Sequence, residues 1–523
     1  AGVVVAFFSA VFLRGAPRDE VKRWAARVEQ VIDSRVDPNL RIRAAMLLAK
    51  HYWYTGRFVL LRALRLRATP DLDDARIVPY SRLLWQLFVQ YDCWARADTA
   101  GGRDAMRSAL DAAQRCAIHL LDNHLTIHAA GFALVEGDLG AARDLLAAAG
   151  AHCHADRPAE QWHHAVTLAW LQTCVGEWQT ALDAAGAALA AARRIGPAPT
   201  CLALAALAHA QRGAAVPEFE ATLTSLRELA VSSDNHLGLW HWRCLTALAA
   251  ARGGADGDAA GDALAGLIAG AAAQQLVAVP LAPRQVLSQL AATALRGGDA
   301  PPYIGSIIER WKLPPPAEFA VDARWPRPVR IVTLSEFRVT AGPRADTHQR
   351  ETTKRKQTSL LQALIAIGPA SGAQGITLET LADAVWPDAD GDTALHSLEM
   401  AVHRLRAQLG AEAIEVHAGT IALSRRHCWV DAWELVALLD AIERSGGREV
   451  SPRAIERLVE LLRGEFLPGV DAPWAAARRD SLRARIAGVI SRLASAQVTA
   501  EIAPSVRELI RDLARGGRSR AVE

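Results

Sequence analysis

A run of polar side chains between residues 396 and 406 has the types and spacing needed to hydrogen-bond to nucleic acid. In TALHSLEMAVHRLRAQLG, Thr393 to Gly410, apolar residues recur every three or four positions, which predicts an amphipathic helix. The face predicted to be buried carries Leu395, Leu398, Val402, Leu405 and Leu409. The opposite face carries His396, Ser397, Glu399, Met400, His403, Arg404 and Arg406. Such groups can reach base edges and phosphates if the helix lies in a major groove.

Each of these residues also has a simpler interpretation. Arg404 and Arg406 would contact guanine edges or phosphates. Alternatively, they would only lie on a solvated helix face and pair with side chains four residues away. Glu399 could accept a hydrogen bond from cytosine, but it could equally repel the phosphate backbone. His396 and His403 would donate to phosphates or bases, or would only cap the exposed surface of the helix without binding anything.

A second group of cations precedes an earlier helix. Lys354, Arg355 and Lys356 contain two of the five lysines of the chain and stand at the start of TTKRKQTSLLQALIAIG, Thr352 to Gly368. We expect them to clamp a phosphate, the alternative being an ordinary polar first turn. Thr420 and Arg425, further along the chain, present a weaker case of the same kind.

The elements around these residues define a small domain. Alternating β-branched residues from Arg330 to Thr340 predict the start of a sheet. TLETLADAVW predicts a second helix with Thr377 as its N-cap, before the helix that begins at Thr393. AIEVHA and TIALS then predict a hairpin with its turn at Ala418 and Gly419. A sheet, three helices and a hairpin in this order are typical of a winged helix, in which the third helix reads DNA.

The stretch from Arg330 to Val430 resembles the OmpR-type winged helix found in antibiotic-regulatory (SARP) activators and in MalT-like regulators. The resemblance rests on KRKQTSLLQALI, LADAVWPDAD, HSLEMAVHRLRAQLG and LSRRHCWVDAWEL. It implies binding to double-stranded promoter DNA, assembly of a homo-oligomer on that DNA, and contact with RNA polymerase or other transcription proteins.

The resemblance continues beyond the hairpin. LLRGEFLPGVDAPWAAARRDSLRARI, Leu461 to Ile486, is similar to the start of the bacterial transcriptional activator domain, a helical domain that serves protein contacts. Few residues follow Ile486, so we expect this domain, residues 431–523, to be truncated or divergent. MalT-like regulators also have an NTP-binding domain. No G-x-x-x-x-G-K-[ST] motif occurs here, and such a domain would have to precede Ala1, which we interpret as an internal cut point.

The first part of the chain has a repeat near 40 residues. Gly137, Gly176, Gly213 and Gly253 are 39, 37 and 40 residues apart, and each lies between two apolar helical segments. Similar turns are expected at Gly56 and Gly297. A helix, a turn and a helix per repeat indicate a solenoid, because one hairpin cannot bury its apolar face alone. The units resemble tetratricopeptide repeats, and we assign residues 1–312 to such a scaffold.

A proline-rich segment separates the two regions. Five prolines between Leu313 and Arg330 disfavour a helix, so residues 313–328 are predicted to be a linker before the domain at 329–430. The expected fold is therefore mainly α: a tetratricopeptide-like solenoid, a winged-helix α+β domain and a helical activator-type domain.

Composition narrows the class of protein. Hydrophobic residues make up 51% of the chain, largely through alanine, and the run Gly2 to Leu13 is too short to span a bilayer, so neither a membrane protein nor a signal peptide is expected. Seven scattered cysteines without a C-x-x-C pair favour a reducing cytoplasm. The net charge of +3 leaves the partner open, since a DNA footprint is a local patch.

Catalytic and metal chemistry find no support in the sequence. No nucleophile, base and acid stand in a recognisable arrangement, so we expect no enzyme and no cofactor. His152, Cys153, His154, His163 and His164 do not supply four ligands by their spacing, so no metal site is predicted. Trp386 and Trp429 are expected to pack in small cores.

These observations lead to one functional hypothesis and one rival. The chain is expected to be a DNA-binding transcriptional regulator, an activator by resemblance, whose helical repeats sense a signal or bind protein. The rival is a helical-repeat scaffold whose winged helix is a protein-interaction module. Residues 327–430 permit it, because twelve Lys and Arg stand against eleven Asp and Glu.

Overall fold

The computed structural model describes residues 1–14, 16–70, 72–154, 156–253, 257–296, 301–341, 355–368, 375–445, 450, 452–462 and 464–495. Within these ranges the chain forms 22 α-helices and six short strands. It divides into two compact units, the first ending at Leu313 and the second beginning at Pro314. The fold is thus mainly helical, as expected.

The first unit is built from consecutive helices, most of them joined by short turns, which favour antiparallel packing of neighbouring helices. Its described helices are α1 (Gly2–Leu13), α2 (Arg18–Asp33), α3 (Pro38–Thr55), α4 (Phe58–Ala68), α5 (Pro79–Arg96), α6 (Thr99–Cys116), α7 (Asp122–Glu136), α8 (Leu139–Gly150), α9 (Pro158–Val175), α10 (Trp178–Arg193), α11 (Pro197–Ala214), α12 (Phe219–Ser232), α13 (His236–Gly253), α14 (Gly257–Gln274), α15 (Arg284–Arg296) and α16 (Pro302–Trp311).

Three of the predicted glycine turns are confirmed. Gly56, Gly137 and Gly176 end α3, α7 and α9 with φ values of 72°, 89° and 90°. This left-handed backbone is favourable for glycine because it has no Cβ. The prediction for Gly213 is wrong, since it lies inside α11 and the turn falls at Ala215, with φ of 56°. Gly297 lies outside the described residues.

Alanine allows these helices to approach closely. In α10 every buried residue is an alanine, namely Ala181, Ala184, Ala185, Ala188, Ala191 and Ala192. Large aromatic rings fill the remaining space, and Trp94, Trp162 and Phe132 are fully buried. The high apolar fraction of the sequence is therefore interior packing of a helical array. Within the described ranges, no helix combines the length and apolar composition needed to cross a bilayer.

Contacts between residues distant in sequence tie the first unit together. The side-chain amide of Asn235, after α12, donates to the carbonyl of Tyr54 at the end of α3, with an N···O distance of 3.0 Å. Arg284, at the start of α15, donates to the carbonyl of Val135 on α7 at 2.7 Å. Helices that lie early in the first unit therefore form polar contacts with helices that lie late in it.

The second unit alternates short strands and helices. Its described elements are β1 (Val329–Val332), β2 (Arg338–Ala341), α17 (Arg355–Ile367), β3 (Ile376–Thr377), α18 (Leu378–Val385), α19 (Gly391–Leu409), β4 (Ile414–His417), β5 (Thr420–Leu423), β6 (Cys428–Val430), α20 (Asp431–Ser445), α21 (Pro452–Leu461) and α22 (Pro473–Ser495).

The strands form two three-stranded sheets. In the first, in the order β2, β1, β6, β1 is antiparallel to β2 and parallel to β6. In the second, in the order β3, β5, β4, both pairs are antiparallel, and Val416 faces Ile421 in the β4–β5 hairpin. Ala418 and Gly419 form the tip with φ of 48° and 78°, as two-residue hairpin turns require. The predicted hairpin is confirmed at this turn.

The segment expected to be a linker is packed into the second unit. Trp325 and Phe319 are buried, and the guanidinium of Arg327 donates to the carbonyls of Phe319, Ala320 and Arg425 at 3.0, 2.6 and 3.1 Å. The indole of Trp429 donates to the carbonyl of Val321 at 2.8 Å. The prolines do prevent an α-helix here, but side-chain contacts fix the segment.

The boundary expected at residue 430 is also different in the structure. Residues from β1 through α22 share one hydrophobic core, to which Leu405, Trp433 and Leu467 all contribute. Leu467 donates its backbone N–H to the carbonyl of Thr333 at 2.8 Å, and the indole of Trp474 donates to the carbonyl of Ala384 at 3.2 Å. The described residues of 329–430 and those of 431–495 therefore pack as one body.

Candidate nucleic-acid interface

Helix α19 has one buried and one exposed face. Leu398, Val402, Leu405 and Leu409 are buried, as predicted, and Leu395 is half-buried against the same core. Asp390 caps the first turn by accepting from the backbone N–H of Thr393 at 3.0 Å, which fixes where the helix begins. The cap and the apolar face together determine which side chains face solvent.

The exposed face of α19 contains most of the predicted contact residues. His396, Glu399, Met400, His403 and Arg404 are exposed, and Ser397 is half-buried. Met400 is 43% exposed, an unusual position for an apolar side chain unless another surface covers it. We refer to His396, Glu399, Met400, His403 and Arg404 as the α19 face.

Arg404 is the arginine of the α19 face, and its side chain is exposed to solvent. No hydrogen bond or ion pair joins its guanidinium to another described residue. Its five N–H donors are therefore available to a partner, as bidentate recognition of guanine or phosphate requires.

Arg406, predicted to belong to the same surface, has a different position. It is half-buried, and Nε and Nη2 of its guanidinium donate to the carbonyl of Ile414 at 3.1 and 2.8 Å. This contact joins the end of α19 to the start of β4. Arg406 therefore fixes the hairpin relative to the helix, and its main donors are already in use.

The cations predicted to clamp a phosphate are only partly described. Lys354 lies outside the described residues, and Arg355 is the first residue of α17. Lys356 is exposed, but its ammonium donates to the carbonyl of Val385 at 3.1 Å and lies 5.9 Å from the ring centre of Trp386. The charge of Lys356 is thus held against the end of α18.

Thr420 and Arg425 also make internal contacts. The Thr420 hydroxyl donates to the carbonyl of His417 at 2.8 Å and closes the hairpin tip. The Arg425 guanidinium lies 4.9 Å from the ring centre of Trp433, and burial lowers its pKa. At the hairpin itself, Glu415 and His417 are the charged or titratable side chains that are exposed.

Three histidines that the sequence did not group lie together in the first unit. His124 and His128 are one turn apart on α7, and His163 lies on α9. Nδ1 of His124 is 3.3 Å from Nδ1 of His163, and one nitrogen of each ring lies within 4.8 Å of the other two. Burial lowers the pKa of all three, so the rings are neutral at pH 7, the form that binds metals.

Hydrogen bonding limits what this cluster can coordinate. The indole of Trp94 donates to Nδ1 of His128 at 3.0 Å, so the single proton of that neutral ring is on Nε2 and leaves it no lone pair. The charge of Lys50 also acts on all three rings. His124 and His163 are also engaged, since their Nδ1 atoms lie within hydrogen-bond distance of each other and Nε2 of His124 is 2.8 Å from the Tyr91 hydroxyl, so the arrangement fits core packing better than a metal centre. The four-residue spacing of His124 and His128 places both on one face of a helix, and this is the feature of the sequence that could have indicated the cluster.

Comparisons with known proteins add little to this description. No family model and no curated protein matches the chain. Among solved structures, it is similar to a structure described as a Rap protein complexed with Competence and Sporulation Factor. The two are 11% identical over 60% of this chain and 87% of that one, with a TM-score of 0.41. A likeness at this level carries no argument about function.

Proposed function

We propose that this chain is a DNA-binding transcriptional regulator of the bacterial cytoplasm and that residues 329–430 act as an OmpR-type winged helix. In this proposal α19 enters the major groove, and the β4–β5 hairpin contacts the DNA backbone as the wing. The helical repeats would sense a signal or bind a partner protein. The chain would act by binding promoter DNA and transcription proteins such as RNA polymerase, and not by catalysis.

The observation that carries the proposal is the α19 face. Five neighbouring side chains are exposed on a helix whose other side is buried, and four of them can hydrogen-bond to bases or phosphates. The Arg406 contact to Ile414 holds the hairpin beside the end of the same helix. A reading helix with an attached hairpin is the geometry that this kind of domain uses.

The charges of the domain predict a weak electrostatic component of binding. Residues 327–430 have an excess of one positive charge, from twelve Lys and Arg against eleven Asp and Glu. Lys356, Arg406 and Arg425 make internal contacts. Since the logarithm of affinity falls with the logarithm of salt in proportion to the phosphates neutralised, we expect a shallow slope.

The same charge balance favours a second candidate function. A face with one free arginine, one glutamate, two histidines and an exposed methionine also suits a protein partner, since methionine and arginine are enriched at such interfaces. In this alternative the winged helix is a protein-interaction module on a helical-repeat scaffold.

The test uses the full chain and a library of random-sequence duplexes. Duplexes retained by the chain are sequenced, and affinity for the selected duplex and a scrambled one is measured by fluorescence anisotropy at low and moderate salt. We expect the selected duplex to bind at least roughly 1,000-fold more tightly than the scrambled one. No binding to either duplex at low salt would favour the protein-interaction module.

A pair of variants locates the binding surface. Arg404→Ala should cost about 1–3 kcal/mol, concentrated at one base position of the selected duplex. Arg444→Ala removes an exposed arginine from α20 and should leave affinity unchanged. Equal affinities for the two variants would contradict the role given to α19.

A further inference from the structure

A second polar site lies in the first unit, where early and late helices meet. Its cavity measures about 480 Å³ including the mouth that opens to solvent. Side chains from α2, α3, the turn before α4, the start of α11 and the turn between α12 and α13 line it. We call this space the basic pocket, after Arg18, Lys22 and Arg57 in its wall.

Three cations converge on a single carboxylate oxygen in the basic pocket. Oδ2 of Asp234 is 2.6 Å from Nη2 of Arg18, 2.6 Å from Nη2 of Arg57 and 3.4 Å from Nζ of Lys22. Among the described residues that line the pocket, Asp234 is the sole carboxylate. One negative charge against three positive charges leaves an excess of two positive charges.

The carboxylate lies on a turn that buried contacts hold in place. Asp234 has a φ of 52°, in the left-handed region that non-glycine residues adopt at a cost. Asn235 follows it and is fully buried, with its side-chain amide bonded to Tyr54 and to the backbone N–H of Gly238. These contacts fix the end of α12 and with it the position of the Asp234 side chain.

Two buried nitrogens of the pocket wall are unsatisfied. Nδ1 of His51 and Nε of Arg57 have no hydrogen-bond partner among the described residues, and His51 is only 7% exposed. Buried polar atoms in native proteins nearly always have a partner, either in the protein or in a bound molecule. The unsatisfied Nε–H of Arg57 is a donor, so the missing partner of that residue is an acceptor.

The start of α11 adds to the positive potential. Pro197 and Ala198, its first two residues, line the pocket, so the amino-terminal end of an 18-residue helix faces the cations. Helix amino termini carry partial positive charge and favour anions nearby, and Ala198 is the residue among the first three of α11 that has a backbone N–H, since Pro197 and Pro199 have none. Charge, unsatisfied donor and helix end all favour the same kind of ligand.

We propose that the basic pocket binds the phosphate group of a small molecule. A phosphate monoester or free phosphate carries about 1.5 to 2 negative charges at pH 7 and has three or more acceptor oxygens, which suits the excess positive charge and the free Arg57 donor. The open mouth leaves room for a substituent on the phosphate. This site is independent of the proposed DNA binding and gives the helical repeats a ligand of defined chemistry.

Isothermal titration calorimetry of the full chain with inorganic phosphate tests the proposal, with sulfate and chloride as reference anions. The variant is Arg18→Gln with Lys22→Gln, because both side chains are 49% exposed and the protein should still fold without their charges. Loss of two charge-assisted contacts should weaken phosphate binding by about 10- to 100-fold. The matched control is Arg67→Gln with Arg107→Gln, which removes two exposed charges elsewhere in the first unit and should leave phosphate affinity unchanged.

Glycerol phosphate in a second titration distinguishes the two sources of the phosphate group. Tighter binding of glycerol phosphate than of inorganic phosphate indicates a phosphate ester, and the reverse order indicates the free ion. The proposal is overturned if the unmodified chain binds phosphate no better than chloride. Equal affinity in the pocket variant and the unmodified chain, or an equal loss in the control variant, overturns it as well.

Discussion

Asp431 and Thr333 are joined by three hydrogen bonds that connect the start of α20 to the end of β1. The Asp431 carboxylate accepts from the backbone N–H of Thr333 at 2.8 and 2.9 Å and from its hydroxyl at 2.6 Å. It also accepts from the backbone N–H of Leu334 at 2.9 Å. Both Asp431 and Thr333 are buried, so water does not replace these contacts.

Asp431→Asn should therefore destabilise the second unit. The amide would place a donor where the carboxylate accepts, leaving a buried N–H unsatisfied, and we expect a loss of about 1–3 kcal/mol. Urea unfolding followed by tryptophan fluorescence measures it. Asp471→Asn, at an exposed position, is the control and should change stability by less than about 0.5 kcal/mol. Equal midpoints for the two variants would show that the capping contacts contribute nothing.

Substitution of two neighbouring arginines of α19 should affect different properties. Arg406→Ala removes both donors to the Ile414 carbonyl and should lower the free energy of unfolding by about 1–2 kcal/mol. Arg404→Ala should leave stability unchanged and weaken binding to the selected duplex. Thermal unfolding and anisotropy on the same preparations separate the two effects. If Arg406→Ala lowered the affinity for the selected duplex without lowering stability, Arg406 would belong to the DNA-binding surface after all.

Two helical glycines of the first unit provide a matched pair. A Cβ at Gly102 would overlap the ring of Phe132, which is fully buried, so Gly102→Ala should destabilise by about 1–3 kcal/mol. At Gly186, inside α10, a Cβ would meet nothing within 4 Å. Gly186→Ala should stabilise by about 0.5–1 kcal/mol, because alanine has the higher helix propensity. Calorimetric melting temperatures that move in the same direction for both would refute this packing.

Buried histidines should make the first unit sensitive to acid. Burial lowers the pKa of His51 and His163 to about 3 and that of His241 to about 4. Below the ordinary pKa of about 6.5 the unfolded chain binds protons that the folded chain does not, so stability falls as pH falls. Each histidine contributes about 1.4 kcal/mol per pH unit between pH 6.5 and its folded pKa.

Melting temperatures measured between pH 7 and pH 5 test this dependence. His163→Gln should make the dependence shallower, whereas His154→Gln, at an exposed position, should leave it as it is. A first unit equally stable at both pH values would mean that these rings already take up protons when folded.

Local sequence patterns predicted the elements of the second unit well. The Thr377 side chain accepts from the backbone N–H of Thr380 at 3.2 Å, which confirms the predicted cap of α18. The apolar spacing of α19 correctly indicated its buried face, because helical periodicity alone determines which residues share a side. The hairpin turn followed from Ala418 and Gly419 in the same way.

The roles of individual cations could not be predicted from local patterns. Lys356, Arg406 and Arg425 resemble Arg404 in the sequence, yet they contact Val385, Ile414 and Trp433. These partners come from other elements, so only the tertiary fold distinguishes a free cation from an occupied one. The basic pocket is a stronger case, because 177 residues separate Arg57 from Asp234.

The polar contacts between early and late helices of the first unit should change how the unit unfolds. In an open solenoid each repeat touches only its neighbours, so terminal repeats can fray without disturbing the rest. Here Asn235 is bonded to Tyr54, and Arg284 to Val135. Losing the first hairpins would leave the Asn235 amide and its neighbours without partners. We therefore expect loss of the first helices to weaken the later helices that contact them.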